Sequence, residues 1–123
     1  MRVNTKPRHR NSPRPPEKSA PAFLQWLRGR ECAVAQMNRD ECAGKIEAAH
    51  TYGAGDKGMG TKNRDAYAIP LCTAHHAEQH AKGWRTFESS YGIASAPRLA
   101  EAYWRAWPSR IAWERKQEER RHG

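Results

Sequence analysis

The feature that most constrains this chain is a concentration of cysteine and histidine in its middle part. All three cysteines and four of the six histidines lie between residues 32 and 80. These seven residues are Cys32, Cys42, His50, Cys72, His75, His76 and His80. Zn²⁺ in proteins is usually held by four Cys or His ligands arranged in a tetrahedron, so this clustering indicates metal chemistry. An odd number of cysteines, in a chain that we expect in a reducing compartment, favours metal ligation over disulfides.

The segment PLCTAHHAEQH contains the most informative spacing. Cys72 and His75 are separated by two residues, as in a zinc knuckle, so both side chains can reach one ion. Cys32 and Cys42 would complete a Cys₃His site, and structural zinc contributes on the order of 10 kcal/mol to folding. Such support suits a chain of 123 residues with 37% hydrophobic residues, because its core is small. The alternative is that the cysteines are small buried hydrophobic side chains.

A second group of histidines has the spacing of a catalytic site. His76 and His80 are four residues apart on a predicted helix and project from one face, with His75 about 100° away. Two histidines on one turn can chelate a divalent ion such as Mg²⁺ or Mn²⁺ whose other positions hold water and a phosphate oxygen. His50 ends the run IEAAH, where a neutral imidazole can take a proton from water. The alternatives are solvated or structural histidines, or a zinc finger in which His76 or His80 joins the structural site.

Local patterns predict an α+β fold built from short elements. Apolar spacing and stop signals predict helices over 21–28, 73–82, 96–107 and 109–121, with Gly83 ending the second. Short strands are predicted over 46–52 and 67–71. The five tryptophans, including Trp104, Trp107 and Trp113, are expected mainly in the core, because burial of indole area is a large and general effect. The alternatives are a partner surface or platforms on which bases stack.

The glycine-rich segment GAGDKGMGTKNRD connects the two predicted strands. It imitates a phosphate-binding P-loop, but Lys62 follows Thr61, whereas a P-loop places Lys before Thr. No alternating strands and helices follow it, as a nucleotide-binding sheet would require. We expect either a loop that brings Lys57 and Lys62 to a DNA backbone or a plain hairpin loop.

The charge of the chain indicates a polyanionic partner. Lys and Arg number 22 against 13 Asp and Glu, a formal net charge of +9 at pH 7, and neutralised phosphates release counterions. Residues 1–20 have little to bury and are predicted to be a disordered basic arm, which either touches DNA phosphates or is a solvated leader. No apolar run reaches the about 20 residues of a membrane span. With no apolar signal region at the N-terminus, we predict a cytoplasmic protein with no membrane partner.

Together these segments resemble the HNH, or ββα-metal, endonuclease superfamily, and most closely its phage-type group that includes recombination-enhancement nucleases. The matching features are C…C-x-G-x-I-E-A-A-H, then G-x-G-x-x-G-M-G-x-K, then D-x-x-x-x-P-L-C-x-x-H-H-x-x-x-H. They run from Cys32 to about Trp84, somewhat under half of the chain. The resemblance implies a β-hairpin followed by a helix that together clasp one divalent ion.

By position, the resemblance gives His50 the role of the general base that activates water. His76 and His80 match metal-binding histidines of the helix, and Asp65 matches an acidic residue that would position His50 or the metal. Many members carry an Asp or His ligand directly before the base, where this chain has Ala49, and the middle Asn of the motif has no clear counterpart. The structural zinc positions of cysteine-containing members match Cys32, Cys42, Cys72 and His75.

The sequence therefore predicts a metal-dependent endonuclease that hydrolyses DNA phosphodiester bonds in an α+β, zinc-supported ββα-metal fold. The predicted organisation is a basic arm over 1–20, a nuclease domain over 21–92 and a helical extension over 93–123. Candidates for contacts with the DNA backbone are Lys57, Lys62, Arg64 and Arg85. A unit of this size can nick alone or make double-strand breaks as a homodimer, in a bacterial cell and from a bacterial or phage gene. The alternative is a non-catalytic zinc-binding module that binds DNA, which Ala49 and the missing Asn favour.

Overall fold

The structure is a computed structural model that describes residues 19–52 and 64–122. Six helices and two strands follow one another in it, with two short 3-10 turns at Arg39–Glu41 and Arg64–Tyr67. The helices and strands are α1 (Pro21–Arg28), α2 (Ala35–Asn38), β1 (Ile46–His50), β2 (Ala68–Cys72), α3 (Thr73–Lys82), α4 (Trp84–Tyr91), α5 (Ala96–Ala106) and α6 (Arg110–His122). The predicted α+β class is confirmed. The predicted arm, apart from its last two residues, lies outside the described residues, as do residues 53–63 of the glycine-rich segment.

The two strands form an antiparallel hairpin in which Ile46 pairs with Cys72 and His50 with Ala68. Both strands lie within one or two residues of their predicted bounds. The pairing continues one residue beyond the strands, since the Thr51 N–H donates to the Tyr67 carbonyl at 2.9 Å. All of β2 is buried, and α1, α3 and α5 pack against it. The loop through Ala33 covers its outer edge, where the Ala33 N–H donates to the Pro70 carbonyl at 2.8 Å.

Two apolar clusters hold the helices to this hairpin. The first contains Val34, Ile69, Leu71, Phe87 and Ala100, so it joins β2 to α4 and α5. The second centres on Phe23 of α1, whose ring lies 4.9 Å from Trp104 and 5.5 Å from Trp107. Trp104 and Trp107 are buried, as predicted, whereas Trp26, Trp84 and Trp113 are only partly buried. The segment after residue 93 therefore contributes directly to the same core as the hairpin.

Helix α3 begins and ends where the sequence predicted. The Cys72 side chain caps its first turn by accepting from the His75 N–H, and Gly83 ends it with φ of 87°. Helix α4 follows at once and was not predicted. Its Trp84, Phe87 and Tyr91 are spaced to share one face, and their rings contact one another. Packing of this aromatic face stabilises a helix that is too short for propensity alone to indicate.

One glycine is required by the close approach of the first strand to α3. Gly44 has φ of +87°, and a Cβ there would lie 2.5 Å from the Thr73 Cβ. The chain on either side bonds the start of α3, since the Thr73 N–H donates to the Lys45 carbonyl and the Ala74 N–H to the Ala43 carbonyl. These bonds satisfy backbone donors that a helix N-terminus leaves open. Among the helices of the described residues, none has the length and apolar character needed to cross a bilayer.

Candidate metal centre and histidine cluster

Four of the predicted ligands converge at the point where β2 meets α3. The sulfur atoms of Cys32, Cys42 and Cys72 lie 3.5, 3.5 and 3.2 Å from Nδ1 of His75. All four ligand atoms lie within 4.8 Å of one another. A tetrahedral ion with bonds of about 2.3 Å to sulfur and about 2.0 Å to nitrogen separates these atoms by about 3.5 Å. The donor set and its spacing therefore fit a metal ion, with His75 as the imidazole ligand.

The nine-residue gap between Cys32 and Cys42 is explained by the local fold. Helix α2 and the following 3-10 turn occupy most of that gap and reverse the chain. The Cys42 N–H donates to the Arg39 carbonyl at 3.0 Å as the turn ends. Gly44 then lets the chain pass close to α3, so the Cys42 side chain reaches the cluster. The unusual spacing is thus compatible with a four-ligand site.

The three thiols differ in how readily they ionise. Burial raises the pKa of Cys32, and burial together with the neighbouring thiols raises the pKa of Cys42 to about 12. Burial also raises the pKa of Cys72, but hydrogen bonds from the backbone of His75 and Ala43 and from the His75 ring outweigh it and set a pKa of about 7. Of the three thiols, Cys72 is thus the one whose pKa the surrounding hydrogen bonds bring below its ordinary value.

The His75 ring faces the cluster through one nitrogen only. Its Nε2 atom is buried and has no hydrogen-bond partner within the described residues. The Tyr91 ring packs at right angles to it, with 5.5 Å between the ring centroids. A neutral imidazole that coordinates through Nδ1 must carry its hydrogen on Nε2. The burial of Nε2 is compatible with a ring held in place by packing and by ligation.

A second cluster, formed by Glu47, His76 and His80, lies on the face of α3 next to that of His75. Nδ1 of His76 is 2.6 Å from Oε1 of Glu47, and the other Glu47 oxygen accepts from the Thr73 hydroxyl at 2.8 Å. The His80 ring lies 4.8 Å from the His76 ring. These contacts lower the pKa of Glu47, chiefly through the hydrogen bond with His76. The predicted proximity of His76 and His80 is confirmed, and Glu47 is a neighbour that the sequence reasoning missed.

His50 and Asp65 form a pair at the end of the hairpin. Nε2 of His50 lies 2.8 Å from Oδ1 of Asp65, and the other Asp65 oxygen accepts from the Ala20 N–H at 2.7 Å. The Asp65 side chain is 1% exposed and that of His50 is 41% exposed. A buried, doubly bonded carboxylate thus holds an imidazole that solvent can reach. Asp65 was predicted to position either His50 or the metal. Its contact with His50 agrees with the first alternative, and the catalytic roles of both residues stay predictions.

The Glu47–His76–His80 cluster and the His50–Asp65 pair both draw on strand β1. Glu47 near the start of β1 contacts His76 on α3, and the His50 carbonyl at the end of β1 accepts from the Trp84 ring just after α3. Strand and helix therefore run in the same direction. The strand rises by about 10 Å from Glu47 to His50. The part of α3 from His76 to its end at Lys82 rises by a similar length. His80 lies one turn beyond His76 on α3.

Of the four cationic residues predicted to contact DNA, Arg64 and Arg85 lie within the described residues. Arg64 is exposed and directly precedes Asp65, and the Arg85 guanidinium lies 5.1 Å above the Tyr52 ring. Tyr52 follows His50 by two residues and donates its hydroxyl to Glu88 at 2.6 Å, a bond that raises the pKa of Tyr52. Lys57 and Lys62 lie outside the described residues. Arg85 is thus close in space to Tyr52, two residues beyond His50 at the end of the hairpin.

Comparison with known proteins assigns the chain to a family. A family model described as "Protein of unknown function (DUF968)" matches residues 3–102. These include the Cys₃His cluster, the His76–His80 pair and the His50–Asp65 pair. The chain belongs to the DUF968 family. It is also 36% identical over 70 residues to the protein of Escherichia coli strain K12 described as uncharacterized protein YdfU. That stretch is 57% of this chain and 18% of YdfU, so the chain corresponds to a small part of that relative. No solved structure shows a significant match.

Proposed function

We propose that this DUF968 protein is a metal-dependent endonuclease that hydrolyses DNA phosphodiester bonds. The observation that carries the proposal is the His50–Asp65 pair at 2.8 Å, together with the His76–His80 pair on α3, which contacts the same strand through Glu47. A carboxylate-held, accessible imidazole and two histidines suited to a divalent ion are groups that phosphodiester hydrolysis uses. The resemblance of the sequence to the HNH superfamily supports the same reaction.

We further propose that the Cys₃His cluster holds a structural zinc ion. Three thiolates and an imidazole are soft to borderline donors, which select zinc over magnesium or calcium. With four protein ligands the site is closed, so it has no open position for a substrate. Its role is to fasten the segment from Cys32 to Cys42 onto the start of α3, where His76 begins the second cluster.

In the proposed reaction His50 is the general base. A carboxylate can only accept, so the Nε2 hydrogen of His50 points to Asp65 and the lone pair of Nδ1 is left for a proton from water. As the water oxygen bonds to phosphorus, the bond from phosphorus to the departing 3′ oxygen breaks and the water proton moves to Nδ1. Asp65 orients the ring and stabilises the imidazolium that forms.

His76 and His80 are the residues that would hold the catalytic ion, such as Mg²⁺ or Mn²⁺. When bound, a divalent ion supplies positive charge to the phosphate oxygens as negative charge develops on them. His76 is partly buried and His80 exposed, so the pair opens toward solvent rather than into the core. That exposure suits a site that must admit a nucleic-acid backbone.

Contacts with the DNA backbone are proposed for Arg85 and Arg64 of the described residues, and for Lys57 and Lys62. The Arg85 guanidinium is held above the Tyr52 ring, an arrangement that limits its conformational freedom. A positioned guanidinium binds phosphate oxygens well because its donors are planar and paired. The net charge of +9 would add attraction that does not depend on sequence.

The test is a plasmid nicking assay with purified protein in Mg²⁺, in Mn²⁺ or in EDTA, run beside His50→Ala. We expect metal-dependent nicking by the wild type and none by the variant, which should keep its zinc, its circular dichroism spectrum and its DNA binding. A variant that cuts as fast as wild type would show that His50 is not the base. No cleavage with any ion, together with salt-sensitive DNA binding, would instead favour a non-catalytic zinc-stabilised DNA-binding module.

A further inference from the structure

We infer that Glu47 is a positioning residue for the second metal site, which fixes the His76 ring so that Nε2 is the atom offered to the ion. This role rests on the proposed function, because it needs a divalent ion at His76 and His80. In many members of the HNH superfamily that the sequence resembles, an acidic or histidine ligand stands directly before the base. Here that position is Ala49, which is fully buried and has no donor atom in its side chain.

The geometry defines which nitrogen of His76 is free. The 2.6 Å contact between Glu47 Oε1 and His76 Nδ1 requires a hydrogen on Nδ1, because the carboxylate has none to give. A neutral imidazole then keeps its lone pair on Nε2, and that atom is the metal ligand. Histidines that bind metals commonly donate their other ring N–H to a carboxylate, which fixes the ring and makes it a better ligand.

Glu47 is itself held in place on its other side. Its second oxygen accepts from the Thr73 hydroxyl at 2.8 Å, and Thr73 and His76 are three residues apart on α3 and share a face. The carboxylate therefore bridges the first turn of the helix and the histidine above it. An exposed glutamate with no function would have no need of two bonds to one helix face, each of which orders a flexible side chain.

The strand register explains why the carboxylate comes from residue 47. Successive side chains of a strand alternate between its faces, so Glu47 and Ala49 lie on the same face of β1, one about 6.6 Å step apart. Ala49 packs in the core and its side chain has no donor atom. Glu47 therefore supplies the carboxylate on that strand face, and this carboxylate contacts α3. His50 points to the other face and bonds Asp65. One short strand thus supplies both the base and the residue that positions the metal ligand.

The experiment is a titration of zinc-loaded full-length protein with Mn²⁺, in which electron paramagnetic resonance separates free from bound ion. We expect wild type to bind one Mn²⁺, and Glu47→Ala to bind it about 10- to 100-fold more weakly. Glu47→Gln should lie between them, since its amide oxygen still accepts from Nδ1 but carries no charge. Glu101→Gln on α5, which removes a carboxylate that pairs with Arg105, is the matched control and should bind as wild type.

Several readouts separate this role from a structural one and from the proposed function. Zinc content and melting temperature should be unchanged in Glu47→Gln, and His76→Ala should lose the Mn²⁺ altogether. If Glu47→Ala binds Mn²⁺ as tightly as Glu101→Gln does, or if wild type binds none, Glu47 does not position a metal ligand. The nicking assay with His50→Ala judges the nuclease independently, so cleavage by wild type with unchanged Mn²⁺ binding in Glu47→Ala would overturn this inference alone.

Discussion

The buried carboxylate of Asp65 bonds the partly exposed imidazole of His50, with 2.8 Å between Oδ1 and Nε2. The other Asp65 oxygen accepts from the Ala20 N–H at the start of α1. The carboxylate is therefore anchored to the N-terminal helix on one side and to the hairpin on the other. Through this bond the orientation of His50 depends on how α1 packs against the hairpin.

Asp65→Asn should slow DNA nicking while leaving the fold largely intact. The asparagine has the same shape and its oxygen can still accept from the Ala20 N–H, but its NH₂ group would face Nε2 of His50. The imidazole would then place its hydrogen on Nδ1, the atom proposed to receive the proton from water. In a serine protease the corresponding change costs about 10⁴-fold, and we expect a loss of about 10- to 10⁴-fold here.

The measurement for Asp65→Asn is the initial rate of plasmid nicking in Mn²⁺, at protein concentrations that saturate DNA binding. Zinc content and the melting temperature should accompany it, because a folded variant is needed for the comparison. An unchanged rate would mean that the His50–Asp65 bond has no part in the reaction. A loss of zinc along with the rate would assign Asp65 to folding instead.

Removal of the metal from the Cys₃His cluster should destabilise the whole protein. The cluster joins the loop at Cys32, the turn at Cys42 and the start of α3, and structural zinc contributes on the order of 10 kcal/mol to folding. We expect a chelator strong enough to strip zinc to lower the melting temperature sharply, and Cys72→Ser to bind no zinc. Zinc analysis and thermal melts with and without chelator, followed by zinc restoration, measure this. Equal melting temperatures would show that the cluster holds no stabilising ion.

Arg85→Ala should weaken DNA binding by a similar factor for unrelated DNA sequences. If Arg85 neutralises one phosphate, its loss should also reduce the slope of log K against log salt by about 1. The matched control is Arg105→Ala, an exposed arginine of α5 that pairs with Glu101. Binding isotherms at several salt concentrations give both quantities. The same isotherms for Arg85→Ala and Arg105→Ala would remove Arg85 from the proposed interface.

The parts of the structure that the sequence predicted well have strong local signals. Helices α1 and α3 have their predicted bounds, because Pro21 and Gly29 mark the ends of α1 and Gly83 marks the end of α3 within the chain itself. Cys72 and His75 are also close in sequence, with two residues between them at the start of α3. The hairpin was predicted because apolar residues flank a glycine-rich segment, although the ladder ends earlier than the apolar pattern does.

What the sequence did not show depends on contacts between distant residues. The contact between Glu47 and His76 joins residues 29 positions apart and exists only because α3 folds back along β1. Considered alone, Glu47 is an ordinary polar residue on the strand. Helix α4 was missed because its eight residues lie between two glycines and gain stability from packing of Phe87 in the core. Asp65 was found only through the family resemblance, since its contacts with His50 and Ala20 join residues 15 and 45 positions apart.

Gly44 and Gly83 form a matched pair that tests how closely β1 approaches α3. Both have φ of +87°, but a Cβ at Gly44 would lie 2.5 Å from Thr73, whereas a Cβ at Gly83 would have nothing within 4 Å. Gly83 has φ of 87° and ψ of 157°, a region that is essentially reserved for glycine, so Gly83→Ala should cost backbone strain of about 1–3 kcal/mol. Gly44→Ala carries strain from its own positive φ and also overpacks against Thr73, which adds about 1–3 kcal/mol.

The free energies of unfolding of the two variants, measured by urea denaturation with zinc present, give the difference directly. Because Gly44 follows Cys42 by two residues and Thr73 follows Cys72, displacement at this contact should also loosen the zinc site. We therefore expect Gly44→Ala, and not Gly83→Ala, to release zinc to a chelator faster than wild type. Equal costs for the two variants would mean that Thr73 moves aside freely, and then the Thr73 hydroxyl does not hold the Glu47 carboxylate rigidly either.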